Sequence, residues 1–487
     1  MKKIRQVSVV ILSFVLLLTS LTFSGCFKDD KKTSSYEIEC TFEDNVLTGK
    51  EKVCFYNDTE NSFTELKFNL FANAFRKDAK YSPVSAQHQS QCYPNGVSYG
   101  GMEIKGVTRN GEALEFSISG EDCNILTVSL NDEIFPDENV TVTIDFVTTL
   151  ANVVHRTGYN DNTVNLANFY PVLCGIEDGA FYECVYYANG DPFFSECANY
   201  NVKFTANEKY TVAGAGSIVS KTQNGSMITY EYDLPFARSY TLVLSEKFEM
   251  LTDSSLGIDI NYYYYEDDTP KDSLDYAVKS MSLFSETFGD YPYQTYSVVQ
   301  TEFVQGGMEF SGLVMISDNL ESKAYGEVIV HETAHQWWQT AVGNNEIKYG
   351  FLDEGLAEYS VVLFYEKYPE YGYTRSQLIK SSETTYKMYC SVYDKLFGET
   401  NTTMLRSLDQ FTSEYEYVNI AYVKPCIMYD SLRTTLGDDK FFGALKKYYS
   451  EYSLEVATPY DLVGVFEKYG TDTNGFFESF FNGKVII

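Results

Sequence analysis

The stretch His331-Glu332-Thr333-Ala334-His335, with Glu354 after eighteen intervening residues, decides how this chain is read. Two histidines four apart fall on one face of a helix, so one metal ion can touch both rings. Glu332 sits one step round that helix, placed to reach a metal-bound water rather than the metal. A catalytic zinc takes three protein ligands and keeps one position open. His331, His335 and Glu354 supply the three, and water the fourth. Val328, Ile329, Val330, Ala334, Trp337 and Trp338 make the segment apolar and predict a buried helix. Buried histidines and a buried glutamate require partners, which one metal ion provides.

The N-terminus reads as a targeting segment. Lys2, Lys3 and Arg5 precede an apolar run from Val7 to Leu21, too short to span a bilayer as a helix. Phe23-Ser24-Gly25-Cys26 resembles a bacterial lipobox, with Phe23 in place of the usual Leu. It predicts a signal peptide over 1–25, acylation of Cys26 and a tether over 26–35. The expected location is the extracellular face of the bacterial cytoplasmic membrane, held by a lipid anchor. The formal charge is -31, and -34 without residues 1–25, which carry three cations and no anions. That surface repels nucleic acid. Ten cysteines are present. With Cys26 acylated, nine remain, so at least one thiol stays free within the chain. Cys40 and Cys54 are equidistant from Leu47 in two runs that read as one hairpin, which allows a cross-strand disulfide. None of the cysteines shows C-x-x-C spacing, so no cysteine metal site is implied.

The expected fold class is α+β and multidomain. From Tyr36 to about Glu246, short alternating runs such as Val140-Thr141-Val142-Thr143-Ile144 are broken by Asn, Asp and Gly. This predicts an N-terminal antiparallel β-sandwich over 36–249. Beyond about Leu251, strands are expected at 258–265, 296–303 and 313–316, with a helix over 272–288. From Gly326 onward the pattern is nearly all helix: the metal helix, one over 353–368, and segments near 374–395, 420–435, 438–451, 458–469 and 474–482. Residues 250–487 thus read as a small sheet followed by a helical lobe.

Three motifs flank the metal stretch: Gln305-Gly306-Gly307-Met308-Glu309-Phe310 before it, Phe351-Leu352-Asp353-Glu354-Gly355-Leu356-Ala357 around its third ligand, and Ala421-Tyr422-Val423-Lys424-Pro425 after it. In this order they resemble the aminopeptidase N family of gluzincin zinc peptidases, peptidase family M1. The resemblance extends more loosely into the β-rich half, at 36–57. It implies a thermolysin-like catalytic domain, one zinc ion on His331, His335 and Glu354, and peptide substrates with a free N-terminus. It also implies that Glu332 moves the proton of the attacking water to the leaving amine, and that Tyr422 stabilises the developing oxyanion. Tyr415 and Tyr417 compete with Tyr422 by proximity. Glu309 would bind the substrate's α-amine, with Gly306, Gly307 and Met308 beside the peptide. Phe310 stands where the family usually has Asn, and Pro425 where it has Gly.

From its position four residues after Glu354, Glu358 is placed to accept the second ring N–H of a zinc histidine. His88 and His155 show no partner pattern and read as ordinary residues. The expected activity is zinc-dependent release of N-terminal residues from extracellular peptides. The rival readings are a zinc endopeptidase or other zinc hydrolase, and a lipid-anchored binding protein with structural zinc. Longer members of the family carry a further helical domain, so a more open cleft is expected here.

Overall fold

The computed structural model describes residues 32–485. The leader and Cys26 lie outside the described residues. The first strand starts at Ser34 and is fully paired, so the last two residues assigned to the tether belong to the sheet.

The N-terminal half is built on an eight-stranded sheet, with two four-stranded sheets sharing its core. Ser34–Glu43 and Val46–Tyr56 form its central hairpin. Asp44 and Asn45 both take positive φ, 51° and 61°, the two-residue turn that matches the twist of the flanking strands. That turn sets the register: Cys40 faces Gly49, and Cys54 faces Ser35. The cross-strand disulfide is therefore excluded, because the hairpin turns at 44–45 and not at Leu47. Cys40 and Cys54 are both free thiols. The sheet is also not wholly antiparallel, since Ser34–Glu43 pairs in parallel with Ala198–Asn207.

The expected boundary between 249 and 250 falls inside the strand Glu249–Asp253, which pairs with Asp259–Tyr264. These begin a five-stranded sheet. Its order continues through Thr295–Thr301 and Leu313–Ser317 to the short edge strand Gly307–Met308. The helix Pro270–Thr287 makes the crossover between two parallel strands. Helices follow at Ser322–Ala334, Phe351–Lys367, Arg375–Phe397, Lys424–Leu436, Asp438–Tyr452, Pro459–Glu467 and Thr473–Asn482.

The halves are cross-tied by Arg238. Its guanidinium donates to the backbone carbonyls of Gln339 at 2.7 Å, Glu455 at 2.7 Å and Ser195 at 3.2 Å. Gly343 makes room for it, since a Cβ there would meet Arg238 Cζ at 2.1 Å. The loop after the metal helix is thereby fixed against the β-rich half.

Candidate active site

The cleft between the two halves has a volume of about 430 Å³, within the range of small-ligand sites. One wall is the helix Ser322–Ala334 and the opposite wall is Phe351–Lys367. His331 lies in the last turn of the first helix, and His335 is the residue that ends it. Each ring has its Nδ1 tied. His335 Nδ1–H donates to the Trp338 carbonyl at 2.9 Å, and His331 Nδ1 lies 3.4 Å from Glu358 Oε2. The two Nε2 atoms then face each other at 3.1 Å. Glu354 Oε2 is 3.1 Å from His331 Nε2 and 3.3 Å from His335 Nε2.

Two imidazole lone pairs converging on each other call for a cation between them. Tetrahedral zinc with bonds of about 2.1 Å sets its ligand atoms about 3.4 Å apart, so the observed triangle fits such an ion. Glu354 sits in the first turn of its helix, where a carboxylate is favoured by the helix dipole. Burial pushes its carboxyl up, but the His335 and His331 rings outweigh burial and bring it to about 2. It is the anionic member of the set.

Glu332 is 5% exposed, and its Oε2 has no hydrogen-bond partner. Burial pushes its carboxyl up to about 7 against the pull of the two histidines. Gly307 forms its cradle: a Cβ there would stand 2.3 Å from Glu332 Oε1. Glu309 is 4% exposed, and its Oε1 is likewise unpartnered. Burial, then Asp191, pushes its carboxyl well above the usual range. Strand alternation turns Gly307 and Glu309 to the cleft and sends the side chains of Met308 and Phe310 to the other face, where they line a separate small cavity with Glu346 and Gln339. Met308 was expected beside the substrate. Its buried side chain instead packs behind the edge strand, and only its backbone borders that edge. Phe310 lies behind the strand with it, so the departure from Asn does not alter the cleft wall.

Tyr422 lies on a π-helical turn, Asn419–Val423, a distortion common at functional sites. Its hydroxyl donates to Glu354 Oε1, and its ring stacks on His331 with centroids 5.8 Å apart. Tyr415 is 44% exposed and packs on Tyr389 and Tyr393 instead. Tyr417 lines the cleft behind Tyr422, with Gly350 close against its hydroxyl. Lys424, next along the chain, is buried and donates to the carbonyls of Thr402, Phe480 and Gly483, tying the tyrosine turn to the last helix. Pro425 packs on Gly355, where a Cβ would meet its Cβ at 2.5 Å. The two departures from the family pattern therefore lie behind the site.

Some contributors carry no sequence signal. Arg156 and Asp191 form a buried ion pair of 2.6 Å at the cleft wall near Glu309. His88, which reads as ordinary in the sequence, stands at the rim with its Nε2 3.0 Å from Glu414. His155 is fully buried against Phe75 and Phe303 and takes no part in the cleft.

Residues 272–480 match the peptidase family M1 domain. Over that segment the chain is similar to peptidase family M1. It is 27% identical over 272 residues to Aminopeptidase M1-B of Oryza sativa subsp. japonica, covering 52% of this chain and 30% of that protein. Aminopeptidase M1-D from the same plant matches at 26% over 271 residues, covering 52% of this chain and 30% of that protein. The chain thus spans about a third of the length of the curated relatives it matches. In overall fold it resembles an M1 zinc metallopeptidase from Deinococcus radiodurans, with a TM-score of 0.68, 16% identity, and coverage of 94% of this chain and 95% of that one. A mutant of that protein bound to a Tyr-Ser-Ala substrate superposes with a TM-score of 0.65 at 16% identity, covering 94% and 96% of the two chains.

Proposed function

We propose that this protein is a zinc-dependent aminopeptidase. The observation that carries the proposal is Glu309: a buried carboxylate facing the cleft with one oxygen unpartnered, within 4.8 Å of Glu332 and His335. A buried anion is costly, burial and Asp191 outweigh the pull of His335 on this one, and a peptide's α-ammonium supplies a direct counter-charge. Asp191 beside it strengthens the preference for a cation.

His331, His335 and Glu354 would hold the zinc. When bound, zinc acidifies a water and polarises a carbonyl. Glu332, one step round the helix, accepts a proton at its free oxygen and returns it to the leaving amine. Glu358 and the Trp338 carbonyl hold the two rings in the tautomer that presents Nε2. Tyr422 donates a phenolic hydrogen bond beside Glu354, where charge develops on the substrate oxygen. The open edge of Gly307–Met308 supports pairing with an extended peptide. The names of the plant relatives and of the Deinococcus structures agree with this reading.

The leader and lipobox at 1–26 support a location outside the cytoplasmic membrane, with Cys26 as the anchor. Among the described residues no helix is long and apolar enough to cross a membrane. Mass spectrometry of a ten-residue peptide tests the activity. The expected result is stepwise loss of N-terminal residues that stops on chelation and returns with zinc. Internal fragments without an N-terminal ladder would make the protein an endopeptidase.

A further inference from the structure

We infer that the cleft selects peptides with a lysine or arginine in the second position, through Glu327. The inference rests on the aminopeptidase reading and extends it to the leaving side of the scissile bond.

Direction along the cleft follows from the metal helix. Glu309 lies at the His335 end, where its carboxylate, that of Glu332 and a His335 nitrogen fall within 4.8 Å of one another. Glu358 lies at the His331 end, 3.4 Å from that ring. A peptide whose amine sits on Glu309 and whose first carbonyl sits at the histidines must send its second residue past His331. Glu327 precedes His331 by four residues on the same helix, about 6 Å further along. It lines the cleft.

The charges of the cleft are otherwise accounted for. Asp191 pairs with Arg156, and Glu414 with His88. Glu354 belongs to the metal, and Glu332 and Glu309 face the reacting groups. Glu327 makes no side-chain hydrogen bond or ion pair among the described residues. Lys323, the nearest cation on its own helix, is held over the Tyr373 ring at 3.6 Å. Burial, then the neighbouring Glu358, pushes the Glu327 carboxyl up. His331 and Lys323 pull it the other way without outweighing them; Glu358 already faces the His331 ring, so Glu327 is the carboxylate left without a direct partner. Ala324, Val328 and Val361 line the wall alongside. An apolar wall leading to a carboxylate suits the methylene stem and charged head of a basic side chain.

The test compares Ala-Lys-Gly-Gly with Ala-norleucine-Gly-Gly, which differ by the ammonium, by release of free alanine. The expected kcat/KM ratio is about tenfold in favour of lysine at low ionic strength. It should fall with added salt and drop toward about twofold in Glu327→Gln. Equal release from both peptides, or a lysine preference kept in Glu327→Gln, overturns the inference and leaves the aminopeptidase reading standing. Release of alanine from neither peptide overturns both. The salt dependence is read on the unaltered protein and does not depend on the variant folding.

Discussion

Gly307→Ala would place a methyl in the cradle of the general base. The added Cβ would lie 2.3 Å from Glu332 Oε1 and 2.6 Å from its Cδ and Cγ. Non-bonded heavy atoms settle at about 3.5 Å, so the carboxylate must retreat by about 1 Å. A misplacement of that size at a catalytic group costs about 10²-fold in rate, or about 2.7 kcal/mol. The three atoms nearest that methyl all belong to Glu332, so the clash falls first on the base, and zinc content reads whether the metal set is kept. Steady-state kinetics on an aminoacyl amide, zinc content and a thermal melt give the three readings needed. The expected pattern is a kcat loss of about 10²-fold with one zinc per chain and little change in KM. Gly306→Ala is the companion variant. Its methyl meets only Val328, at 3.5 Å, so it leaves Glu332 in place and any loss falls on KM. A Gly307→Ala enzyme within about threefold of wild type, fully loaded with zinc, would refute the assignment of Glu332 as a base held by this cradle.

Tyr422→Phe should lower kcat by about 10² to 10³-fold with KM and zinc retained; unchanged kcat would return the role to Tyr417. Glu358→Ala removes the partner of His331 Nδ1 and should weaken zinc by about tenfold in chelator competition. The His155 imidazole is held down to about 3 by burial, then by Arg156, against about 6.5 when unfolded. Because the folded value is the lower one, the unfolded chain takes up a proton that the native chain refuses as pH falls through 6.5, and stability drops with it. Unfolding free energies from urea titrations between pH 6 and 4 should slope less in His155→Leu than in wild type, by about 1.4 kcal/mol per pH unit; parallel slopes would contradict this.

The metal site was legible because its chemistry is local. His331, Glu332 and His335 share one helix, and Glu354 enters in the first turn of the next long one. Helical periods likewise placed the C-terminal lobe to within a few residues. Register was harder to read. The symmetry of Cys40 and Cys54 about Leu47 suggested a pair, but the turn chemistry of Asp44-Asn45 moved the hairpin's centre and set them apart. Met308 sits inside a motif that faces the substrate, yet period-two alternation turns its side chain away. The parallel pairing of Ser34–Glu43 with Ala198–Asn207 joins segments more than 150 residues apart and leaves no local trace. Arg156, Asp191 and Glu327 gain meaning only from the cleft they share, which tertiary packing assembles.

The central claim is that Glu309 reads a free amine. It is tested most directly by the ratio of kcat/KM for a peptide and its N-acetylated twin, in wild type and in Glu309→Ala. A desolvated charge-assisted contact predicts a ratio of about 10² or more in wild type, collapsing toward one in the variant. Equal cleavage of the two peptides by the wild-type protein, or a ratio that survives loss of the Glu309 carboxylate, would contradict the account.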